Sequence, residues 1–189
     1  MKIIKLFLLV IFSLSLYACN LSTDEKSADL QKTTKYQKND ISFSMPSNWK
    51  VTEDNGENSA RYLFVESPGS AIMIINTYEK ETAPSLQEYI ESLTSERSNE
   101  KFFWGLGSLS NGSTSKIKRT INNHEVNAFK NEYAANIAGI NVPHISEFYS
   151  FDSKTHIAFV SSQTATEDLP LVADGFNLIL STFMWHEDP

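Results

Sequence analysis

The 189-residue sequence predicts an α+β domain, an antiparallel sheet flanked by helices in a two- or three-layer sandwich. Three observations carry that expectation. Apolar residues alternate with polar ones at the strand period in Ile41-Ser42-Phe43-Ser44-Met45 and recur in β-rich runs along most of the chain. A capping-box pattern opens an amphipathic helix at Ser85. A second helical stripe closes the chain near Phe183. Runs of strands mixed with two helices bury their apolar faces by packing helix on sheet.

The first segment is not part of the domain. Lys2 and Lys5 precede an apolar run to Leu16, and small Ala18 stands before Cys19; a basic start, an apolar stretch and a small residue at the cut form an export signal. The run falls short of the roughly 20 apolar residues that span a bilayer. Leu16-Tyr17-Ala18-Cys19 resembles the lipobox of bacterial lipoproteins. The resemblance implies that Cys19 is the lipidation site, carrying diacylglyceryl and then acyl (palmitate-type) chains, and that the mature chain begins there. Two or more such chains anchor a protein stably to a membrane without spanning it. Asn20 behind the cysteine implies sorting to the outer membrane, facing the periplasm, in an organism with two membranes. The expected organisation is a signal peptide over 1–18, Cys19 with a flexible tether over 19–36, and one domain over 37–189.

Cys19 is the single cysteine, so the chain offers neither an intramolecular disulfide nor a cysteine-based zinc site. Removing Lys2 and Lys5 from the 16 Lys+Arg leaves 14 against 23 Asp+Glu, an acidic balance that argues against nucleic acid as a partner. Residues 20–36 contain only Leu21, Ala28 and Leu30 as aliphatic residues, the composition of a solvated tether.

Each further element follows from local chemistry. Pro46 stops the first strand, and Trp49 and Val51 continue beyond the Pro46-Ser47-Asn48 turn. Asp54-Asn55-Gly56 supplies turn residues before a strand over 61–66, and Pro68-Gly69-Ser70 separates that strand from the continuous apolar run 71–76, predicting a hairpin. Ser85 and Glu88 form the capping box of a helix over 85–97, with Leu86, Tyr89, Ile90 and Leu93 on its buried face. Strands follow over 116–121, 124–133, 140–151 and 156–163. Asn122-Asn123 fits a tight turn, because Asn tolerates positive φ. The last helix runs over 169–183, with Asp168 as its cap, Pro170 in the first turn, and Leu171, Val172, Phe176, Ile179, Leu180 and Phe183 as its buried stripe.

The opening strand, proline and tryptophan of Ile41-Ser42-Phe43-Ser44-Met45-Pro46-Ser47-Asn48-Trp49 resemble those of PsbP-like and DcrB-like (Mog1/PsbP-type) domains. The later element order and the closing helix are similar, so the resemblance covers about residues 36–185. It implies an antiparallel sheet flanked by helices, on a fold whose members act mainly as binding, assembly or chaperone modules. The matched positions are core and turn residues, so no functional residue is carried over.

Catalytic patterns are weak. His124, His144, His156 and His186 have no metal-ligand spacing, no Gly-x-Ser-x-Gly elbow is present, and the glycine-rich stretch 105–112 lacks the Lys-Ser/Thr ending of a phosphate loop and reads as a flexible connection. No enzyme activity, cofactor or metal is expected. Three consecutive aromatics, Phe102, Phe103 and Trp104, cannot all face one core from a strand or helix; either a helix end lets all three fold under the sheet edge, or at least one points outward and serves as the contact for an unidentified envelope protein or the bilayer interface. The expected function is that of a membrane-anchored envelope lipoprotein acting as a noncatalytic interaction or assembly module. The alternative is a small-molecule or lipid-binding lipoprotein, with a pocket between sheet and helices lined by Met73, Phe129, Phe148 and Phe159.

Overall fold

A computed structural model describes residues 25–57, 60–99, 101–102, 107–110 and 112–186. The elements run β1 (Thr33–Lys38), β2 (Ile41–Pro46), β3 (Lys50–Glu57), β4 (Ala60–Glu66), β5 (Ile72–Glu79), α1 (Leu86–Asn99), β6 (Lys101–Phe102), β7 (Gly107–Leu109), β8 (Ser113–Ile121), β9 (His124–Ile137), β10 (Ile140–Asp152), β11 (His156–Ala165), α2 (Leu169–Thr182) and β12 (Met184–Trp185). A large antiparallel sheet has the order β3-β4-β5-β11-β10-β9-β7-β6, with β8 also paired to β9, and β1-β2-β12 forms a small sheet.

Side-chain alternation gives the large sheet two buried faces. One face packs under α2 and β2, where Leu63, Val65, Met73, Ile75 and Val160 meet Phe43, Val172 and Ile179 in the main core. The other packs under α1, where Tyr89 and Ile90 cover Phe148 and Phe159. The result is three layers: α1, the large sheet, then α2 beside the small sheet. This is the expected α+β arrangement.

Local chemistry explains the start of α1 and the β8–β9 hairpin. Ser85 N donates to a Glu88 carboxylate oxygen at 2.8 Å and Glu88 N donates to Ser85 Oγ at 3.2 Å, the reciprocal capping box that starts α1. Asn122 and Asn123 take φ of 51° and 63°, as the tight turn joining β8 to β9 requires. Trp49 is buried in the main core. It meets Phe176 edge to face at 5.2 Å and leaves no room for a side chain at Gly175, where a Cβ would lie 2.7 Å from the indole.

Several expectations are corrected. The tether reading fails from Glu25 onward. Ala28 N donates to Leu171 O at 2.9 Å, Ser47 N to Asp29 O at 3.1 Å, and Asp29 N to the Asn48 side-chain oxygen at 2.9 Å; β1 pairs with β2 along its whole length, Thr33 opposite Pro46 through Lys38 opposite Ile41. Backbone pairing and buried hydrogen bonds hold this polar stretch without a long apolar run. Asp54, Asn55 and Gly56 lie within the β3–β4 ladder rather than in a turn, opposite Leu63, Tyr62 and Arg61. Part of the glycine-rich stretch is strand, since Gly107 to Leu109 pairs with β9. Asp168 stands at the N-cap of α2 without a capping hydrogen bond from its side chain, and Leu171 is exposed because its position turns away from the helix's buried side.

Candidate functional site

The residues expected to line a pocket are divided by the pleat. Met73 belongs to the α2 side of the sheet, whereas Phe129, Phe148 and Phe159 lie on the α1 side. Met73, Phe148 and Phe159 are fully buried packing residues, so these four side chains form no common cavity. Phe129 instead edges an outer groove with Ile90, Thr94 and Lys116.

A cleft of about 290 Å³ does open between sheet and helix, on the α2 side. Its floor comes from paired positions of β10 and β11: Ile145 is opposite Thr164 and Glu147 is opposite Ser162, with Tyr149 one step further along the same face. Its wall is one face of α2, with Leu169, Ala173, Phe176 and Leu180 at helical spacing. Arg119 and Thr120 of β8 and Asn177 of α2 complete the lining.

The polar end of the cleft is an ordered ion pair. Arg119 Nη2 donates to Glu147 Oε1, Arg119 Nε donates to Glu147 Oε2 at 3.1 Å, and the Tyr149 hydroxyl donates to the same Oε2. Hydrogen bonding to Glu147 raises the Arg119 pKa above its ordinary value. Burial, reinforced by the neighbouring Glu147 carboxylate, pushes the Tyr149 phenol well above its usual range, so Tyr149 is a neutral donor. Glu147 accepts three hydrogen bonds, which hold its carboxylate in place. At the other end the Thr164 hydroxyl is buried and has no hydrogen-bond partner. The cleft is thus electrically balanced, apolar along its helix wall, and provided with one unanswered hydroxyl.

A second charged cluster has a structural task. Tyr36 OH donates to Asp54 Oδ2 at 2.7 Å, Lys38 Nζ to the same oxygen at 2.6 Å and Arg61 Nε to Asp54 Oδ1 at 2.7 Å, while Arg61 Nη2 donates to Tyr36 OH at 2.6 Å. These bonds tie the small sheet to β3 and β4. Burial opposes the Asp54 charge, but hydrogen bonds from Arg61, Lys38 and Tyr36 outweigh it and hold its carboxyl far below the ordinary range.

The histidines are separate. His186 shares a hydrogen bond with Ser42 Oγ at 2.6 Å, His156 stacks on Trp185 with centroids 5.9 Å apart, and His144 Nδ1 meets Val142 O at 2.9 Å. Among the described residues no three His, Cys, Asp or Glu side chains are placed to hold a metal ion, and no helix is long and apolar enough to cross a membrane. Cys19, Phe103 and Trp104 lie outside the described residues. Phe102 is in β6, which pairs only with β7 and forms one end of the large sheet among the described strands.

Sequence reasoning missed Arg119, Glu147, Tyr149 and Thr164. The available signal was parity. Glu147 and Tyr149 alternate with core Phe148, and Ser162 and Thr164 continue the inward positions of Ala158 and Val160, so polar groups occupy places where a sheet under a helix normally carries apolar ones.

No protein-family model and no curated protein sequence matches this chain. Solved structures do. The chain is similar to cyanobacterial PsbP (CyanoP) from Synechocystis, with 9% identity and a TM-score of 0.50 over 89% of this chain and 95% of that one. It is also similar to a Bacteroides thetaiotaomicron protein, with 12% identity and a TM-score of 0.46 over 78% of this chain and 46% of that one. LpqN of Mycobacterium tuberculosis, described as involved in cell envelope biogenesis, aligns with 11% identity and a TM-score of 0.40 over 82% of this chain and 91% of that one. The layer order, the antiparallel sheet and the similarity to CyanoP together establish a PsbP-like fold for this domain.

Proposed function

We propose that the protein is a lipid-anchored envelope module that acts without catalysis, docking another envelope protein at one end of its large sheet. The observation that carries this reading is that the aromatic run Phe102-Phe103-Trp104 starts in β6, a sheet-end strand held by two residue pairs. Strand edges present unpaired backbone groups for strand addition, and aromatic side chains are the commonest interface anchors. Anchoring is supported by the lipobox-like Leu16-Tyr17-Ala18-Cys19. Because the chain is fixed on the domain from Glu25, at most about 20 Å of extended chain separates that residue from Cys19. The domain therefore stays close to its membrane, on a shorter leash than a tether reaching Tyr36 would give.

The test combines both ends. Cys19→Ala abolishes acyl labelling and leaves unprocessed precursor; a mature N-terminus downstream of Cys19 without lipid overturns the anchor. A photo-crosslinking residue at Phe103 captures a partner in cells, and Trp104→Ala lowers that yield with the melting temperature unchanged. A crosslink yield that falls only in proportion to the amount of folded protein overturns the docking assignment.

A further inference from the structure

We propose that the cleft between β10, β11 and α2 binds a small uncharged molecule with an apolar body and a hydroxyl or amide group. This site is independent of how the domain is anchored and of what docks at β6. Three features of the lining select the ligand. Ile145, Phe176 and Leu180 offer apolar surface on floor and wall, and burying apolar area is the main source of affinity in small clefts. Arg119 and Glu147 cancel one another, so an anion in the cleft would face the Glu147 carboxylate and a cation the Arg119 guanidinium, each at the cost of desolvation. Thr164 Oγ1 is the third feature: the residue is 2% exposed and the hydroxyl is unpaired.

Buried hydroxyls are almost always hydrogen-bonded, and leaving one unpaired is destabilising. The indole nitrogen of Trp49 is also unpaired, but it sits in the closed core against Phe176. Thr164 differs because the residue, though its hydroxyl is buried, is one of those that line the cleft. A ligand hydroxyl or amide placed over Ile145 can answer Thr164, while Ser162, opposite Glu147 on the same face, offers a second hydroxyl along the floor. A volume of about 290 Å³ is near the lower limit for small-molecule sites, roughly 300 Å³, which restricts the occupant to a compact molecule.

The experiment uses the full chain in lipid nanodiscs with labelled Ile and Leu methyl groups, titrated with benzyl alcohol, toluene, benzoate and benzylammonium. Benzyl alcohol is expected to shift the Ile145 and Leu180 methyl resonances saturably. Toluene should bind about threefold to tenfold more weakly, the value of one neutral hydrogen bond, and the two ions more weakly still. Thr164→Val, nearly isosteric, should erase the preference for the alcohol over toluene, and Ala173→Phe should abolish all shifts by filling the cleft. A cleft that holds only water would give no saturable shift with any probe and would overturn the proposal. So would shifts that survive Ala173→Phe in a folded protein, an alcohol preference retained in Thr164→Val, or ions that bind as tightly as the alcohol.

Discussion

Glu25 and Ser67, 42 residues apart in sequence, meet at 2.8 Å where the Ser67 hydroxyl donates to Glu25 Oε2. The same oxygen accepts the backbone N–H groups of Ser70 and Ala71, each at 2.9 Å, and Oε1 accepts Lys26 N at 3.0 Å. One carboxylate thereby organises the turn between β4 and β5 and fixes the start of the described chain upon it. Gly69 is required there, since a Cβ would lie 2.6 Å from the Glu25 carboxylate.

This contact predicts an acid-sensitive anchor. Burial opposes the charge of Glu25, but hydrogen bonds from Ala71, Ser67, Ser70 and Lys26 outweigh it and lower its pKa below 4.5. A carboxylate with a depressed folded-state pKa stabilises the fold above its unfolded pKa, and that stabilisation is lost as pH falls through the folded value. Glu25→Gln should therefore cost about 1 to 3 kcal/mol at neutral pH, and the gap from wild type should close as pH falls below 4.5. Denaturant melts of both proteins from neutral to acid pH check this; a gap independent of pH contradicts it.

Trp49 and Gly175 form a matched pair of large and absent side chains. Trp49→Ala should cost about 3 to 5 kcal/mol as a large core truncation. Gly175→Ala should cost about 1 to 3 kcal/mol by overpacking against the indole. Combining them should cost less than the sum, because the new methyl enters the space that the indole leaves. Chemical denaturation of the double-mutant cycle measures the coupling; strict additivity would show that the two positions do not compete for space.

Arg61 is buried against Asp54, so removing the carboxylate charge leaves its guanidinium, among the described residues, with only the longer ion pair to Asp40 at 3.7 Å. Asp54→Asn should destabilise by about 3 kcal/mol. The sign with pH follows from the depressed Asp54 pKa: its stabilisation is complete above the ordinary value of 3.8 and is lost progressively from there down to the much lower folded value. Wild type should consequently lose its advantage over Asp54→Asn gradually as pH falls below 3.8, over a wider acid range than the Glu25 pair because the Asp54 shift is larger, and acid unfolding curves distinguish the two groups.

The β8–β9 turn offers a backbone test. Asn123 has φ of 63°, and an alanine there should cost about 1 to 2 kcal/mol for occupying the left-handed region, whereas Asn123→Gly should cost little or stabilise. Thermal melts of the two variants decide it; equal effects would show that the turn relaxes to another geometry.

The sequence by itself determined what depends on neighbours along the chain. The Ser85–Glu88 capping box, the stripe of Leu86, Tyr89, Ile90 and Leu93, the Asn122-Asn123 turn and the alternation of β2 all arise from contacts within a few residues or from a clear periodicity, and an α+β fold follows from their order, its PsbP-like character resting on the resemblance of the segment from Ile41 to Trp49. Tertiary structure decided the rest. Residues 25–36 read as a solvated tether because composition counts apolar side chains, whereas Glu25 is held by amides 45 and 46 residues away and β1 by backbone pairing that any sequence can make. Met73 and Phe148 look alike as apolar strand residues, yet the pleat puts them on opposite faces and only the strand order shows which helix covers each. The cleft is the clearest case. Arg119, Glu147 and Thr164 lie on three different strands, so pairing register rather than spacing brings an ion pair and an unpaired hydroxyl to the same face beneath α2.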